Sequence, residues 1–405
     1  MAKVSNEELV RKAVVTADAI ALAGRLNPQQ AEKFIDYVVD LSGLKNNARI
    51  VRIKTDWEID KIGVGKRVAM PKTEAVAPSG RRGVTTSKVT LTPKTIVVPF
   101  EIGDEFREEN IEGDDVEDTI IRMMAAQLAN DMEELYVNGD TLGRASLQGD
   151  IIDGGSATQY VLDTYLQLFD GWLKKARSGN VYNAAGANIG PSTVSGMIRA
   201  MPQKFRRDYS KLRMLLAPDL EQLFRERTAS RATAAGDAAL SSRSPLTPYG
   251  LEMAPFPLWP FNPKITEHLV LPTTTAVSCL FAPIVSASEV VFDMTGDTLT
   301  GDTPRTPLVE GTDYDMDYTN GTIARNAGGS LGDGDTVKIT YSAQPQVVLT
   351  HFMNLIVGIG REIRIEKDRD IFKGVNQYAI TTKIACDFEE LTALVFGKNF
   401  GETAV

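Results

Sequence analysis

Asp313, Asp315 and Asp317 alternate with other residues in the spacing that opens an EF-hand calcium loop. Such a loop needs Gly at its sixth position and a bidentate Glu at its twelfth. Tyr318 and Ala324 stand there instead. The three carboxylates are therefore read as the solvent face of a hairpin strand, where side chains alternate with period two. Gly358-Ile359-Gly360 is followed by Arg361 and Glu362, so no dinucleotide fingerprint forms. Gly332-Asp333-Gly334-Asp335 is turn chemistry, and no P-loop, HExxH, GxSxG or CxxC pattern occurs. The two histidines, His268 and His351, lie beside strand-like segments, too few for most zinc sites or a His-based triad. Cys279 and Cys386 are far apart and match no disulfide framework, which fits a reducing compartment. No catalytic, cofactor-binding or metal-ligating residue is assigned, and the expectation is a protein that is not an enzyme.

One covalent step would need less. A Lys on an extended hairpin and an Asn on a neighbour can form an isopeptide bond if a buried carboxylate accepts the proton. Lys66, Lys72 or Lys88 could donate and Asn376 accept, but the plainer reading is surface charges and a loop amide.

Charge is distributed more tellingly than chemistry. The 405 residues carry 44 basic and 53 acidic side chains, a net charge of −9, the wrong sign for a protein that wraps DNA tightly. Within residues 61–94, Lys61, Lys66, Arg67, Lys72, Arg81, Arg82, Lys88 and Lys94 face Glu74 alone. Residues 101–118 invert this: Glu101, Asp104, Glu105, Glu108, Glu109, Glu112 and four further acids are opposed only by Arg107. The acidic block reads either as a solvated link complementing a helix dipole, or as the partner of another copy's basic stretch.

The elements that carry these charges follow from periodicity. Ser5, Glu8 and the apolar steps from Leu9 to Ala21 predict a helix, and Asn27-Pro28 restarts one. This pair is compatible with a bundle or with an arm on a neighbouring subunit. Ile50, Val51 and Ile53, then Val89, Leu91 and residues 96–98, read as strands flanking a long polar hairpin. Val116, Ile120, Met124, Leu128, Met132 and Tyr136 step by four, predicting a rod of about 36 Å over 114–137 that stops at Asn138-Gly139. Residues 160–177 read as a further helix, and a third helix near Ser192 leads through a buried strand at Leu212–Leu216 into a helix from Asp219. Residues 228–244 form an Ala/Ser/Thr/Arg-rich loop.

Residues 285–343 behave as an acidic all-β insert, with ten acids against Arg305, Arg325 and Lys338 and a type I′ turn expected at Asn320-Gly321. Segments around Ile356, Ile365, Ile371 and Ile380 then read as long strands. The N-terminal residues lack a signal-peptide pattern, so the chain is expected to stay where it is made, and no apolar run could span a membrane.

Several stretches in this order resemble the major capsid proteins of tailed bacteriophages of the Hong Kong 97 type. They are Leu26-Asn27-Pro28-Gln29-Gln30-Ala31 with Phe34-Ile35, and Asp115-Val116-Glu117-Asp118-Thr119-Ile120 leading to Asn138-Gly139-Asp140. Thr247-Pro248-Tyr249-Gly250 with Pro255 and Pro257, and Asn354-Leu355-Ile356-Val357-Gly358-Ile359 with residues 368–372, complete the set. The likeness spans nearly the whole chain except 285–343.

The resemblance implies an α+β Hong Kong 97-type capsid fold. It divides into an N-terminal helical arm (1–48), an extended β-hairpin loop (49–100) and a peripheral domain (101–185) with a spine helix over 114–137. An axial domain (186–284), an inserted acidic β domain (285–343) and C-terminal strands (344–405) returning to the peripheral and axial domains follow. It further implies hexamers and pentamers closing an icosahedral shell around the genome, with the basic loop and acidic link as inter-subunit contacts. The implied partners are other copies, a separate scaffolding protein, a portal, a decoration protein and packaged dsDNA touched weakly at the inner face, with no membrane and no cofactor. The implied location is the virion, and the host cytoplasm during assembly. An encapsulin, a bacterial compartment shell of the same fold, is a competing reading. A soluble enzyme with a β accessory domain is another.

Overall fold

The computed structural model describes residues 48–53, 56–63, 85–103, 116–151, 155–230, 246–272, 275–295, 306–360 and 364–401. The expected N-terminal helices, most of the polar hairpin, the acidic link and the loop at 231–245 lie outside these residues. Strands β1 (Arg49–Ile53), β2 (Trp57–Gly63), β3 (Thr85–Leu91) and β4 (Lys94–Gly103) precede helix α1 (Val116–Asn138). Then come β5 (Ala145–Leu147), α2 (Gln148–Ile151), β6 (Tyr160–Leu162), α3 (Trp172–Ala176), β7 (Asn180–Asn183) and α4 (Pro191–Ala200). The chain continues through β8 (Leu212–Leu216), α5 (Pro218–Ala229), β9 (Glu252–Pro255), β10 (Lys264–Leu271), β11 (Val277–Ser278) and β12 (Val290–Asp293). It ends with β13 (Tyr314–Asp317), β14 (Thr322–Arg325), β15 (Asp335–Ser342), β16 (Val347–His351), β17 (Leu355–Gly360), β18 (Arg364–Asp370), β19 (Val375–Phe388) and β20 (Leu394–Lys398).

Two compact units result, one of Ile50–Ala126 with Val357–Glu389 and one centred on Gln127–Ile356 with the chain from Glu390 onward. The first is built around β19. Asn376, Tyr378, Ile380, Thr382 and Ile384 are buried at every second position, the period a pleated strand imposes. β4 pairs with it antiparallel from Val375↔Gly103 to Ile384↔Lys94, and β18 from Arg364↔Thr381 to Asp370↔Val375. β17 also neighbours β19 and carries β1 on its other side. The Gly358-Ile359-Gly360 run lies in β17. A Cβ on Gly360 would stand 2.8 Å from the Lys383 backbone nitrogen, so close strand approach explains that glycine.

The second unit holds a five-stranded sheet in the order β7-β20-β16-β8-β9, with β7–β20 and β8–β9 parallel. Val194, Met197 and Ile198 of α4 and Leu220 and Phe224 of α5 share a core with Met214, Leu216, Leu349 and Val395 of the sheet. This is the helix–strand–helix order expected over 192–224, with Pro at the first turn of both helices. Helix α5 continues through Thr228 and Ala229, which the sequence reading assigned to a loop.

The expected rod at 114–137 is α1, and its last turns are deeply buried at Leu128, Met132, Leu135, Tyr136 and Val137. Gly139 then donates to Leu135 O at 3.0 Å. A Cβ on Gly139 would come within 2.7 Å of that oxygen, while Gly171 donates to Gly139 O at 2.8 Å. Two backbones meet here with no room for side chains.

Residues 160–177 are not one helix. They form β6, a 3-10 turn at Leu166–Leu168 and the short α3. Asp163 accepts from Leu166 N at 3.0 Å, and Phe169 is extended, so the three- and four-residue apolar steps serve separate turns.

The β-rich region begins earlier than residue 285. β10 pairs with β15 from Lys264↔Ser342 to Leu271↔Asp335, β12 pairs with the opposite edge of β15, and β11-β14-β13 form a second small sheet. The turn at 317–322 is also not type I′. Asp317↔Thr322 closes a four-residue loop in which the Asp317 carboxylate accepts from Thr319 N and Asn320 N, both at 3.0 Å. Gly321 alone takes a positive φ there.

Candidate functional site

The described part of the basic hairpin is a two-stranded ribbon, from Trp57↔Leu91 to Gly63↔Thr85. Glu58, Asp60, Lys88 and Thr90 are exposed, whereas Trp57, Ile59 and Val89 are half-buried. A ribbon of two strands is marginal by itself, so its partly covered apolar residues favour contact with another surface. Lys88 Nζ donates to Glu58 Oε1 at 2.7 Å and stands across the ribbon from Asp60. The hydrogen bond and the charge of Glu58 lift the Lys88 ammonium above its ordinary range. Two acids that precede residue 61 in sequence thus moderate the basic character of this stretch.

Lys61 lies opposite Ser87 in the same ribbon, and Lys94 is exposed at the start of β4. Glu101, on β4, accepts from Gln377 Nε2 at 2.9 Å. Lys66, Arg67, Lys72, Arg81, Arg82, Asp104, Glu105, Glu108, Glu109 and Glu112 lie outside the described residues. Asn376 is a buried strand residue between Ile102 and Arg369, which corrects its reading as a loop amide.

Sequence reasoning missed an apolar tip. Ile371 was read as a strand residue, yet it occupies the β18–β19 turn with Phe372, and their fractional exposures are 81% and 104%. Asp370 fixes that turn by accepting from Phe372 N at 3.1 Å and Lys373 N at 3.3 Å. The signal was present in Asp370 and Gly374, which bracket a tight turn.

The sequence-level metal look-alike is dispersed. Asp313 is held below the ordinary carboxylate range by Val309 N and by Ser330, and Asp317 by Asn320. Asp313 is thus spent on holding Val309 and Ser330 and Asp317 on its own turn, and among the described residues no cluster suits a metal ion. His351 Nδ1 accepts from Met353 N, and His268 is pushed toward its neutral form by burial and then by Lys338. Cys279 and Cys386 are buried thiols, the former pushed up to about 12 by burial. Lys338 is the unusual cation: 2% exposed, donating to Leu142 O at 2.7 Å, and pushed down to about 8 by burial. Among the described residues, no helix is long and apolar enough to cross a membrane.

No protein-family model matches the chain. A relative in Bacillus subtilis (strain 168), the "Putative prophage capsid protein YqbE", is 28% identical over 392 residues, covering 96% of this chain and 97% of that one. Among solved structures, a chain of the satellite phage P4 procapsid that includes the size determination protein aligns with a TM-score of 0.54 and 11% identity, covering 98% of both chains. This is a phage capsid fold. A capsid chain of a native GTA particle also matches, at a TM-score of 0.49, 12% identity and 89% and 91% coverage. The ribbon at β2–β3 and the exposed tip at Ile371-Phe372 both belong to the first unit.

Proposed function

We propose that this chain is the major capsid protein of a tailed dsDNA phage or prophage, assembling with copies of itself into an icosahedral shell around the genome. The full-length similarity to the prophage capsid protein of Bacillus subtilis carries this reading, because nearly every residue of both chains is aligned. Similarity over nearly the whole chain to a protein named as a capsid protein supports a structural role over an enzymatic one.

In this reading residues 49–100 are the extended loop, 114–137 the spine helix, 101–185 the peripheral domain, and the stretch from 186 to the start of β10 the axial domain. The region from β10 to residue 343, whose strands share two sheets, forms an exterior insert, and the C-terminal strands return to the earlier domains. The loop lies over a neighbouring subunit in hexamers and pentamers. Its cations Lys61, Lys66, Arg67, Lys72, Arg81, Arg82, Lys88 and Lys94 face Glu101, Asp104, Glu105, Glu108, Glu109 and Glu112 of that neighbour. The half-buried Trp57, Ile59 and Val89 and the exposed Ile371 and Phe372 supply apolar area for the same contacts. A scaffolding protein, a portal and a decoration protein complete the particle, which forms in the host cytoplasm.

The test is negative-stain microscopy with light scattering on the protein expressed alone and with a scaffolding protein. Closed shells or capsomer rings are expected, and DNA inside particles from infected or induced cells separates a phage shell from an enzyme-filled compartment. A subunit that stays monomeric or dimeric under every condition overturns the reading.

A further inference from the structure

A basic surface interrupts this acidic chain. Residues 199–213 hold Arg199, Lys204, Arg206, Arg207, Lys211 and Arg213 against Asp208 alone. The fold neutralises part of it. Asp208 accepts from Ser210 N and Oγ and pairs with Lys211 at 3.3 Å, and Arg213 pairs with Glu252 at 2.9 Å. Arg199, Lys204 and Arg207 are exposed, Arg206 is half-buried, and none of the four has an acidic partner among the described residues. The Nε of Arg206 is buried without a hydrogen-bond partner, so its guanidinium is incompletely satisfied within the subunit. Lys204 is held in place with its Nζ 4.4 Å from the centre of the Phe205 ring.

Two tyrosines frame these cations. The turn at Pro248–Gly250 packs against both α4, which carries Arg199 in its last turn, and the turn at Tyr209–Lys211. Tyr249 sits in that turn at φ 56 and is 59% exposed, with Tyr209 39% exposed beside it. A bulky residue at positive φ is strained, and the conformation holds because Gly250 N bonds Thr247 O at 3.1 Å and Leu251 N bonds Pro248 O at 3.0 Å. The backbone of this turn is thus fixed, and it presents an exposed tyrosine beside the helix that carries Arg199 and the turn that follows Arg206 and Arg207.

We propose that this surface binds the phosphate backbone of double-stranded DNA. Arg and Lys neutralise phosphates, and Tyr hydroxyls are suited to donate to phosphate oxygens, so the contact follows the backbone without reading sequence. With four cations per subunit the contact is weak and reversible, and the net charge of −9 opposes wrapping elsewhere. Repetition over many copies would hold DNA against a shell without fixing it. The inference rests on the shell reading for its biological setting, but DNA binding is measurable on the single subunit.

The experiment is fluorescence anisotropy of a short labelled duplex of mixed sequence with the unassembled full-length protein. Binding is expected at low salt, falling with a log–log salt slope of about −3 to −4, near the value for four released counterions. Lys204→Gln with Arg207→Gln, both at exposed positions, is expected to cut the slope by about half and weaken binding at least about tenfold at low salt. Lys383→Gln with Arg369→Gln, both exposed on the first unit and equal in charge change, serves as the control and is expected to leave binding within about twofold. Absence of salt-dependent binding, or binding that the double variant leaves unchanged, overturns the proposal. So does a double variant that binds DNA normally yet no longer forms shells, because the patch is then a protein contact. Shell formation without DNA binding removes this proposal and leaves the shell reading intact, and DNA binding by a subunit that never forms shells does the reverse.

Discussion

Tyr378 lies directly across the β4–β19 ladder from Phe100, with their ring centroids 4.9 Å apart and their planes 5° from parallel. Lys367, opposite Tyr378 on β18, places its ammonium 5.1 Å from the same ring. One aromatic thus ties the three strands together side by side, and it is 3% exposed. Tyr378→Ala is expected to cost about 3–5 kcal/mol in urea unfolding of the unassembled subunit. A double-mutant cycle with Phe100→Ala should return about 1 kcal/mol of coupling. Additive losses would mean that the stack contributes only buried area.

Lys338 predicts a rise of stability with alkalinity. Its ammonium titrates near 8 in the fold and at 10.5 when unfolded, so between these values the unfolded chain holds one more proton. Stability contributed by this group rises from pH 8 to pH 10.5 by up to about 1.4 kcal/mol per unit, and is flat below pH 8, where the ammonium is held in both states. Lys338→Met is expected to flatten that slope in unfolding experiments between pH 7 and 9.5. A slope equal to that of the unsubstituted protein would refute the assignment.

Asn354 closes the path from β16 toward β20 in the second unit. Its Nδ2 donates to Thr350 Oγ1 at 2.9 Å and to Glu390 O at 3.0 Å, while its Oδ1 accepts from Glu390 N at 2.7 Å. Asn354→Leu strands these buried partners and is expected to cost about 2–4 kcal/mol. Asn354→Asp should rescue less than half of that, because a carboxylate can still accept from Glu390 N but cannot donate to Glu390 O. Thermal denaturation of both variants checks the order.

The backbone meeting of Gly139 and Gly171 predicts that Gly139→Ala destabilises far more than an ordinary helix-end substitution. The added carbon would meet the Leu135 oxygen at 2.7 Å, and backbone must shift to admit it. Loss of soluble expression or a clear fall in melting temperature is expected, with Asn138→Ala as a milder control.

At the assembly level, reversing Lys61, Lys66, Arg67 and Lys72 to Glu is expected to suppress particle formation. Adding reversal of Glu108, Glu109 and Glu112 to Lys should restore it in part. Glu58→Gln, which releases Lys88 from an exposed pair, is expected to leave the melting temperature unchanged. Particle yield by light scattering decides, and unchanged yield after the first reversal would remove the charge pairing.

The sequence was informative where one element alone set the pattern. Four-residue steps from Val116 to Tyr136 revealed α1, and alternation from Tyr378 to Ile384 revealed β19, where every second residue is buried. The stretch 160–177 misled because Leu162, Leu166, Phe169 and Leu173 are spaced like a helix while Asp163 and Gly171 break the backbone between them. β10 escaped notice because Thr266, Glu267 and His268 dilute its apolar run, and its partner β15 is more than sixty residues away. The charge blocks were plain in the sequence, but Glu58 and Asp60 are brought beside Lys88 only by hairpin register. The tip at Ile371-Phe372 was hidden for the opposite reason, since two apolar residues ordinarily signal a core.

The long ladder on β19 also has a mechanical meaning. Ten consecutive residues of β19 face β4 in antiparallel register, and seven face β18. Inter-strand hydrogen bonds run perpendicular to the strands, so a pull along β19 loads them together in shear, whereas a pull across its end would open them one by one. Tension directed along this strand, as from pressure stretching a curved wall, would have to break a whole row of bonds before the strand could slip.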